Sequence, residues 1–175
     1  MGCHPVYSGS FTLQFKTESG EEFEFISPEM VRELLPHRDI ALRIDSAKFF
    51  AAESRVVATR YLAPEDWDFI GHFDGKPVLP GAIQVEIAAQ AAVILVKKKY
   101  PEITDWPCLS GIGRVKFKRE AIPEDTLNIL VSLISYHKNN PISYPFEFSF
   151  TITKKIGKFY KEVSSGTFEG KAARE

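Results

Sequence analysis

The segment from Gly81 to Lys99 constrains the fold more than any other part of the sequence, because it predicts a helix that is apolar on nearly every side. Before its three terminal lysines, its only polar residues are Gln84, Glu86 and Gln90. The apolar run is too short and too polar to span a membrane. We therefore expect a central helix that the rest of the chain surrounds, with many alanines that let other elements pack closely.

The rest of the chain is typical of strands. Residues 11–16 and 22–26 alternate apolar and polar side chains and predict a hairpin, and Ser27-Pro28 predicts the start of a short helix that ends near Leu35. Further strands are predicted at about 41–50, 54–62, 109–119, 126–136, 143–154 and 158–169. The loop at 63–79 between them is long, and loops of this length are uncommon unless they are functional.

These elements predict an α+β fold, in which a long antiparallel sheet packs around the helix at 81–99. We expect one domain over residues 1–175, with 1–26 as an N-terminal hairpin extension.

Composition excludes some classes of function. The formal net charge is −1, from 22 basic and 23 acidic residues, which argues against non-specific nucleic-acid binding. The two cysteines, Cys3 and Cys108, have neither metal-ligand spacing nor the number needed for a disulfide framework. We therefore expect a cytoplasmic protein with no metal site and no membrane association.

Glu86 is the first candidate for chemistry, because it lies five residues into an apolar helix. A buried carboxylate usually has a raised pKa, which suits a general acid near neutral pH. Gln90 lies four residues further on the same face and can orient the carboxyl group. His72, in the preceding loop, is a suitable base for a proton next to a thioester carbonyl.

Pro80-Gly81 adds a third part, because the helix begins there with unpaired N–H groups and the positive end of its dipole. These groups can hold a thioester oxygen as negative charge develops on it. Each feature alone is more often structural: a solvated histidine, a glutamate paired with a cation, or an ordinary helix cap. Their occurrence together in one short stretch favours a catalytic centre.

The stretch from Gly71 to Gln90 resembles the signature G-H-F-P-x-x-P-x-x-P-G-x-x-x-x-E-x-x-A-Q of the bacterial 3-hydroxyacyl-acyl-carrier-protein dehydratases of the FabZ type. Residues 34–38 (LLPHR) are similar to that family's L-L-P-H-R, and residues 111–117 (GIGRVKF) to its G-I-x-x-V-K-F strand. The resemblance covers roughly residues 30–135, with three matches in the same order.

The resemblance implies a hot-dog fold, in which a curved antiparallel sheet wraps around the central helix. It implies dimers or trimers of dimers, with His72 from one chain and Glu86 from the other at each site. His72 would take the C2 proton of a 3-hydroxyacyl thioester on acyl carrier protein, Glu86 would protonate the departing hydroxyl, and a trans-2-enoyl thioester would result without a metal or organic cofactor. The residues expected to bind substrate are Phe73, Pro80, Gly81 and Gln90.

The sequence also departs from that family. Asp74 stands where the family has proline, and residues 39–41 (DIA) replace an aromatic-Pro-Phe segment that shapes its acyl tunnel. Chain length, pathway and the choice between carrier protein and coenzyme A therefore stay open. The alternatives are a hot-dog thioesterase, a CoA-linked hydratase or a non-catalytic acyl-binding homologue.

A basic stretch near the end of the strand predicted at 109–119 is a candidate dock for an acidic carrier protein. A solvated strand face explains the same pattern equally well. Its residues are Arg114, Lys116, Lys118 and Arg119. His37 is expected to be structural, because its motif precedes a predicted strand.

Overall fold

The computed structural model describes residues 6–7, 13–137 and 143–173. Within them, nine antiparallel strands form one sheet in the order β1-β2-β3-β4-β5-β7-β8-β9-β6. The strands are β1 (Val6–Tyr7), β2 (Leu13–Lys16), β3 (Glu22–Ile26), β4 (Ser46–Phe50), β5 (Arg55–Tyr61), β6 (Cys108–Phe117), β7 (Thr126–Tyr136), β8 (Ser143–Ile156) and β9 (Phe159–Ala173). The helices are α1 (Pro28–Leu34) and α2 (Gly81–Lys99), with short 3-10 turns at Asp39–Ala41 and Trp67–Phe69.

The long helix α2 contacts six strands of the sheet, β4 to β9. Six flat strands would span about 24 Å at the usual strand spacing, whereas a helix with its side chains is only about 10–12 Å wide. The sheet must therefore curve around the helix. Fully buried side chains such as Ile87, Ile94 and Leu95 fill the space between them. This is the hot-dog arrangement, and the expected fold is confirmed.

Most predicted elements are confirmed to within a few residues, but the strand predicted at 41–50 begins only at Ser46. The preceding backbone has other partners: the N–H of Arg43 donates to the side chain of Gln90, and the side chain of Asp45 accepts from the backbone N–H of Tyr61.

Two parts of the predicted N-terminal extension, residues 1–5 and 8–12, lie outside the described residues. They include the first two residues of the strand predicted at 11–16. None of the described helices is long and apolar enough to cross a membrane.

Strand β6 forms one edge of the sheet and pairs only with β9 among the described strands. Its ten residues carry large apolar side chains that face solvent: Leu109, Ile112 and Phe117 are 41%, 59% and 53% exposed. A long apolar edge strand with free backbone groups is a template for pairing with another chain. This edge therefore favours association through β6.

A bulge interrupts the pairing of β6 with β9 between Ile112 and Val115. Gly166 lies opposite, and a Cβ atom there would come within 2.5 Å of the carbonyl oxygen of Arg114. The glycine lets the two backbones approach closely.

We expect Gly166→Ala to lower the free energy of unfolding by about 1–3 kcal/mol, because the backbone of β6 must move to admit the methyl group. Gly170→Ala on the same strand is the matched control, since its Cβ would meet only ordinary contacts at 3.5 Å. Urea denaturation at one protein concentration measures both variants. Equal decreases in the free energy of unfolding would show that the close approach of the two backbones at Gly166 does not contribute to stability.

Candidate active site

His72 is held in the loop before α2 by three hydrogen bonds. Its backbone N–H donates to the carbonyl of Phe69, and its own carbonyl accepts from the N–H of Val78. Its ring Nδ1 lies 2.8 Å from the carbonyl oxygen of Val78. A carbonyl oxygen only accepts, so Nδ1 carries a proton, and in the neutral imidazole Nε2 then has a lone pair. The loop therefore presents Nε2 as a base.

A tight turn next to His72 shapes this loop. Phe73 and Lys76 exchange backbone hydrogen bonds, and Gly71 and Gly75 have φ angles of +76° and +70°, in the region that favours glycine. The peptide bond between His72 and Phe73 is cis. The Phe73 ring stacks on the His72 ring with centroids 4.2 Å apart and is 59% exposed. Phe73, predicted to bind substrate, thus flanks the imidazole.

Helix α2 starts at Gly81, with Pro80 as its N-cap. The ring of Phe117 packs against Gly81: a Cβ on Gly81 would be 2.8 Å from it. Half-exposed Phe117 thus fills the space where a side chain at position 81 would lie. Beside it opens a cavity of about 480 Å³, which we call the histidine cavity. Its lining is His72, Val78, Leu79, Gly81, Gln84, Phe117, Lys118, Arg119 and Glu120.

Glu86 is more exposed than the sequence predicted. Its side chain is 40% exposed in the single chain, so the prediction of a buried carboxylate is wrong for one chain. The reason is that the N-terminal half of α2 has an uncovered face, on which Ala82 is exposed and Ala89 is partly exposed. A nearly all-apolar helix with an open face is typical of a surface that another chain covers.

Gln90 is buried and fixes the Glu86 carboxylate. Its side-chain N–H groups donate to Glu86 Oε1 at 2.8 Å and to the carbonyl of Ala41 at 2.7 Å, and its oxygen accepts from the N–H of Arg43 at 2.9 Å. Both donors of the amide are therefore used within the chain. The predicted contact with Glu86 is present, but Gln90 has no free donor for a substrate, so its role is to position Glu86.

The segment that holds Gln90 is itself anchored to the loop before α2. The guanidinium of Arg43 forms a mostly buried ion pair with Asp68. Burial raises the pKa of Asp68, and the nearby charge of Arg43 opposes that rise. Asp68, Arg43, Gln90 and Glu86 thus form one connected chain of polar contacts.

His37 also contacts Glu86, which the sequence did not predict. Its Nε2 lies 3.6 Å from Glu86 Oε1. Both side chains line a cavity of about 230 Å³, which we call the glutamate cavity. The rest of its lining is mostly apolar: Pro36, Ala89, Gln90, Ala92, Val93, Trp106, Pro107, Cys108, Leu109, Phe148, Phe168 and Gly170. A signal was present in the sequence, because LLPHR is part of the same resemblance as the two predicted catalytic residues.

The two predicted catalytic residues line different cavities of the single chain. His72 and Gly81 lie in the histidine cavity, whereas Glu86 and Gln90 lie in the glutamate cavity. A site that uses both His72 and Glu86 therefore fits two chains better than one. Among the described residues, no group of three or more His, Cys, Asp and Glu side chains is arranged to hold a metal ion.

The proposed basic dock is not a simple strand face. Arg114 and Lys116 lie on β6, but the strand ends at Phe117, so Lys118 and Arg119 lie beyond it. Lys118 Nζ pairs with Glu162 at 2.6 Å, and Arg119 donates to the backbone carbonyl of Glu162. The hydrogen bond from Lys118 lowers the pKa of Glu162. These two cations are thus tied to β9 at the rim of the histidine cavity.

Comparison with known proteins identifies relatives of this chain. Residues 48–159 match the family model described as ApeI-like, ApeI dehydratase. A 3-hydroxyacyl-[acyl-carrier-protein] dehydratase FabZ from Clostridium perfringens is 38% identical over 104 residues, which are 59% of this chain and 74% of that protein. FabZ from Anaeromyxobacter dehalogenans is 30% identical over 162 residues, 91% and 92% of the two chains.

A solved structure also shares the fold. A variant of an acyl-CoA hydrolase from Staphylococcus aureus, in complex with coenzyme A, superposes with a TM-score of 0.52 at 16% identity, over 71% of this chain and 67% of that one.

We expect Gln90→Leu to lower the free energy of unfolding by about 1–3 kcal/mol more than Gln84→Leu, measured by urea denaturation. Both glutamines are buried in α2, but Gln90 makes three hydrogen bonds, whereas Gln84 makes one described bond, to the carbonyl of Leu79. Gln90→Leu should also lose dehydratase activity, because the Glu86 carboxylate then lacks its hydrogen bond from Gln90. Equal stability losses in the two variants would contradict the role given to Gln90.

Proposed function

This chain belongs to the ApeI-like dehydratase family, and we propose that it removes water from a (3R)-hydroxyacyl thioester to give a trans-2-enoyl thioester. The observation that carries the proposal is the orientation of the His72 ring. Its Nδ1 is hydrogen-bonded to the carbonyl oxygen of Val78, which leaves Nε2 to act as the base, and the ring lines the same cavity as the start of α2. A base next to a helix N-terminus suits removal of a proton from the carbon adjacent to a carbonyl.

In the proposed reaction, His72 Nε2 takes the proton from C2 of the substrate. The electron pair moves toward the thioester carbonyl, whose oxygen becomes negative and is stabilised by the backbone N–H groups at Gly81. The pair then forms the C2–C3 double bond as the C3–O bond breaks. Glu86 gives its proton to the departing hydroxyl, which leaves as water.

The site is proposed to form between two copies of the chain, because each copy supplies the part that the other lacks. Edge strand β6 has free backbone groups and exposed apolar side chains on which a second copy can pair. Antiparallel pairing over the full length of β6 sets Cys108 opposite Phe117 of the second copy. Cys108 lines the glutamate cavity and Phe117 lines the histidine cavity, so this register brings the two cavities together.

The acyl chain is proposed to occupy the glutamate cavity. Val93, Trp106, Phe148 and Phe168 give it apolar walls, and the small side chain of Ala89 leaves room near Glu86. Burial of alkyl surface against such walls is favourable. The residues around His72 are proposed to contact the thioester end of the substrate: Phe73, Pro80 and Gly81.

The substrate is proposed to arrive on an acyl carrier protein, since two relatives carry that activity in their names. Four exposed cations lie on or just beyond β6: Arg114, Lys116, Lys118 and Arg119. Lys118 and Arg119 line the histidine cavity. Their positive charge complements an acidic carrier. The chemistry needs no metal or organic cofactor, because the thioester activates C2 and the phosphopantetheine belongs to the substrate.

The reaction is tested with purified protein and a 3-hydroxyacyl thioester, by the absorbance of the conjugated enoyl product. We expect His72→Ala and Glu86→Gln each to lower kcat by about 10²–10⁴-fold, because each removes one proton-transfer group. His137→Ala is the matched control, since His137 is exposed and lines neither cavity. Full activity in either site variant would refute the mechanism, and release of free thiol instead of an enoyl thioester would assign a thioesterase.

The dimer is tested with Ile112→Asp, which places a charge in the middle of the proposed β6 pairing. We expect a monomer by size-exclusion chromatography with light scattering, and loss of activity with it. Ile156→Asp, at a comparably exposed isoleucine at the end of β8, should leave the assembly unchanged. An active Ile112→Asp monomer would contradict a shared site.

A further inference from the structure

We propose that His37 is a positioning residue that acts through Glu86, determining which carboxylate oxygen carries the acid's proton. This inference rests on the proposed role of Glu86 as general acid. It extends that role to a residue from a different segment of the chain, the turn after α1.

Two hydrogen bonds from one guanidinium hold the backbone around His37. Arg38 Nη1 donates to the carbonyl oxygens of Leu35 and His37, each at 2.6 Å. The His37 side chain is 28% exposed and points to the same oxygen of Glu86 that Gln90 contacts. Two groups from different elements thus converge on Oε1: the amide of Gln90 at 2.8 Å and the imidazole of His37 at 3.6 Å.

The burial of Nδ1 favours one tautomer of the neutral His37 ring. Its Nδ1 is buried and has no hydrogen-bond partner in the described part of the chain. A proton on Nδ1 would be a buried donor without an acceptor, which is costly. In the neutral imidazole, the favoured tautomer therefore has its proton on Nε2, facing Glu86. His37 thus presents an N–H donor to the carboxyl group.

Two donors on one oxygen determine the form of the acid. In protonated Glu86, Oε1 is the carbonyl oxygen that accepts from Gln90 and faces His37, and the proton lies on Oε2. After that proton has gone to the leaving hydroxyl, the two donors stabilise the new carboxylate. Hydrogen bonds to a charged acceptor are shorter and stronger, and such contacts tighten during reaction, so the 3.6 Å separation suits a donor that engages as the charge forms.

Few other ionisable groups face this pair. Among the described residues that line the glutamate cavity, the remaining titratable side chain is Cys108. The guanidinium of Arg38 is occupied by backbone carbonyls. His72 of the second copy is the base and governs the acid limb of the pH–rate profile, so a shift of the alkaline limb after substitution of His37 reports on Glu86.

The experiment compares His37→Phe, His37→Gln and the exposed-histidine control His137→Gln in the full chain, with the same 3-hydroxyacyl thioester. We expect His37→Phe to lower kcat by about tenfold, less than loss of a fully formed oxyanion donor, with little change in KM. The alkaline limb of the pH–rate profile, where Glu86 must stay protonated, should move to higher pH. The direction follows because a donor stabilises the charged carboxylate, so its removal favours the protonated acid.

His37→Gln keeps an N–H donor and should recover part of both effects, whereas His137→Gln should behave as the unmodified protein. An unchanged kcat in His37→Phe would overturn the proposal. So would a lower kcat with an unmoved alkaline limb, because that pattern indicates only a structural role. If the unmodified protein forms no enoyl thioester, the proposed function fails first, and the role of His37 fails with it.

Discussion

The structure depends on covering α2, a helix with almost no polar side chains. The sheet of its own chain must curve to enclose it, since six strands contact one helix. Even so, the N-terminal half keeps an uncovered face, and that face carries Glu86. The apolar character of α2, which requires the sheet to curve, therefore also places Glu86 on a surface that favours contact with a second chain. Edge strand β6, with its exposed apolar side chains, supplies the means of pairing.

Within one chain, a single buried amide connects the site to the fold. Gln90 joins the backbone at residues 41 and 43 to the Glu86 carboxylate, and Asp68 holds Arg43 from the loop before α2. Two of the three bonds of Gln90 go to backbone groups. Side chains at 39–41 can therefore differ from those of FabZ-type relatives without loss of this support, because the backbone there makes the contact.

The sequence predicted α2 to the residue and most strands closely, because alternation and an unbroken apolar pattern are local signals. The contact of Gln90 with Glu86 was predictable for the same reason, since residues four apart share a helix face. The exposure of Glu86 was not predictable, because an apolar pattern shows which helix positions are apolar and does not show whether a strand covers them. The contact of His37 with Glu86 was not predictable either, because it joins residues far apart in sequence. The strand expected at 41–50 begins only at Ser46, because a distant glutamine takes the N–H of Arg43.

The central claim is that each site takes its base from one chain and its acid from the other. Mixing inactive His72→Ala protein with inactive Glu86→Gln protein, with exchange of subunits by mild denaturation and refolding, tests it most directly. In a mixed dimer, one of the two sites then has both His72 and Glu86, and the account predicts that enoyl thioester formation returns. If the subunits exchange, as a tag on one variant would show, and activity does not return, the two residues do not work across two chains.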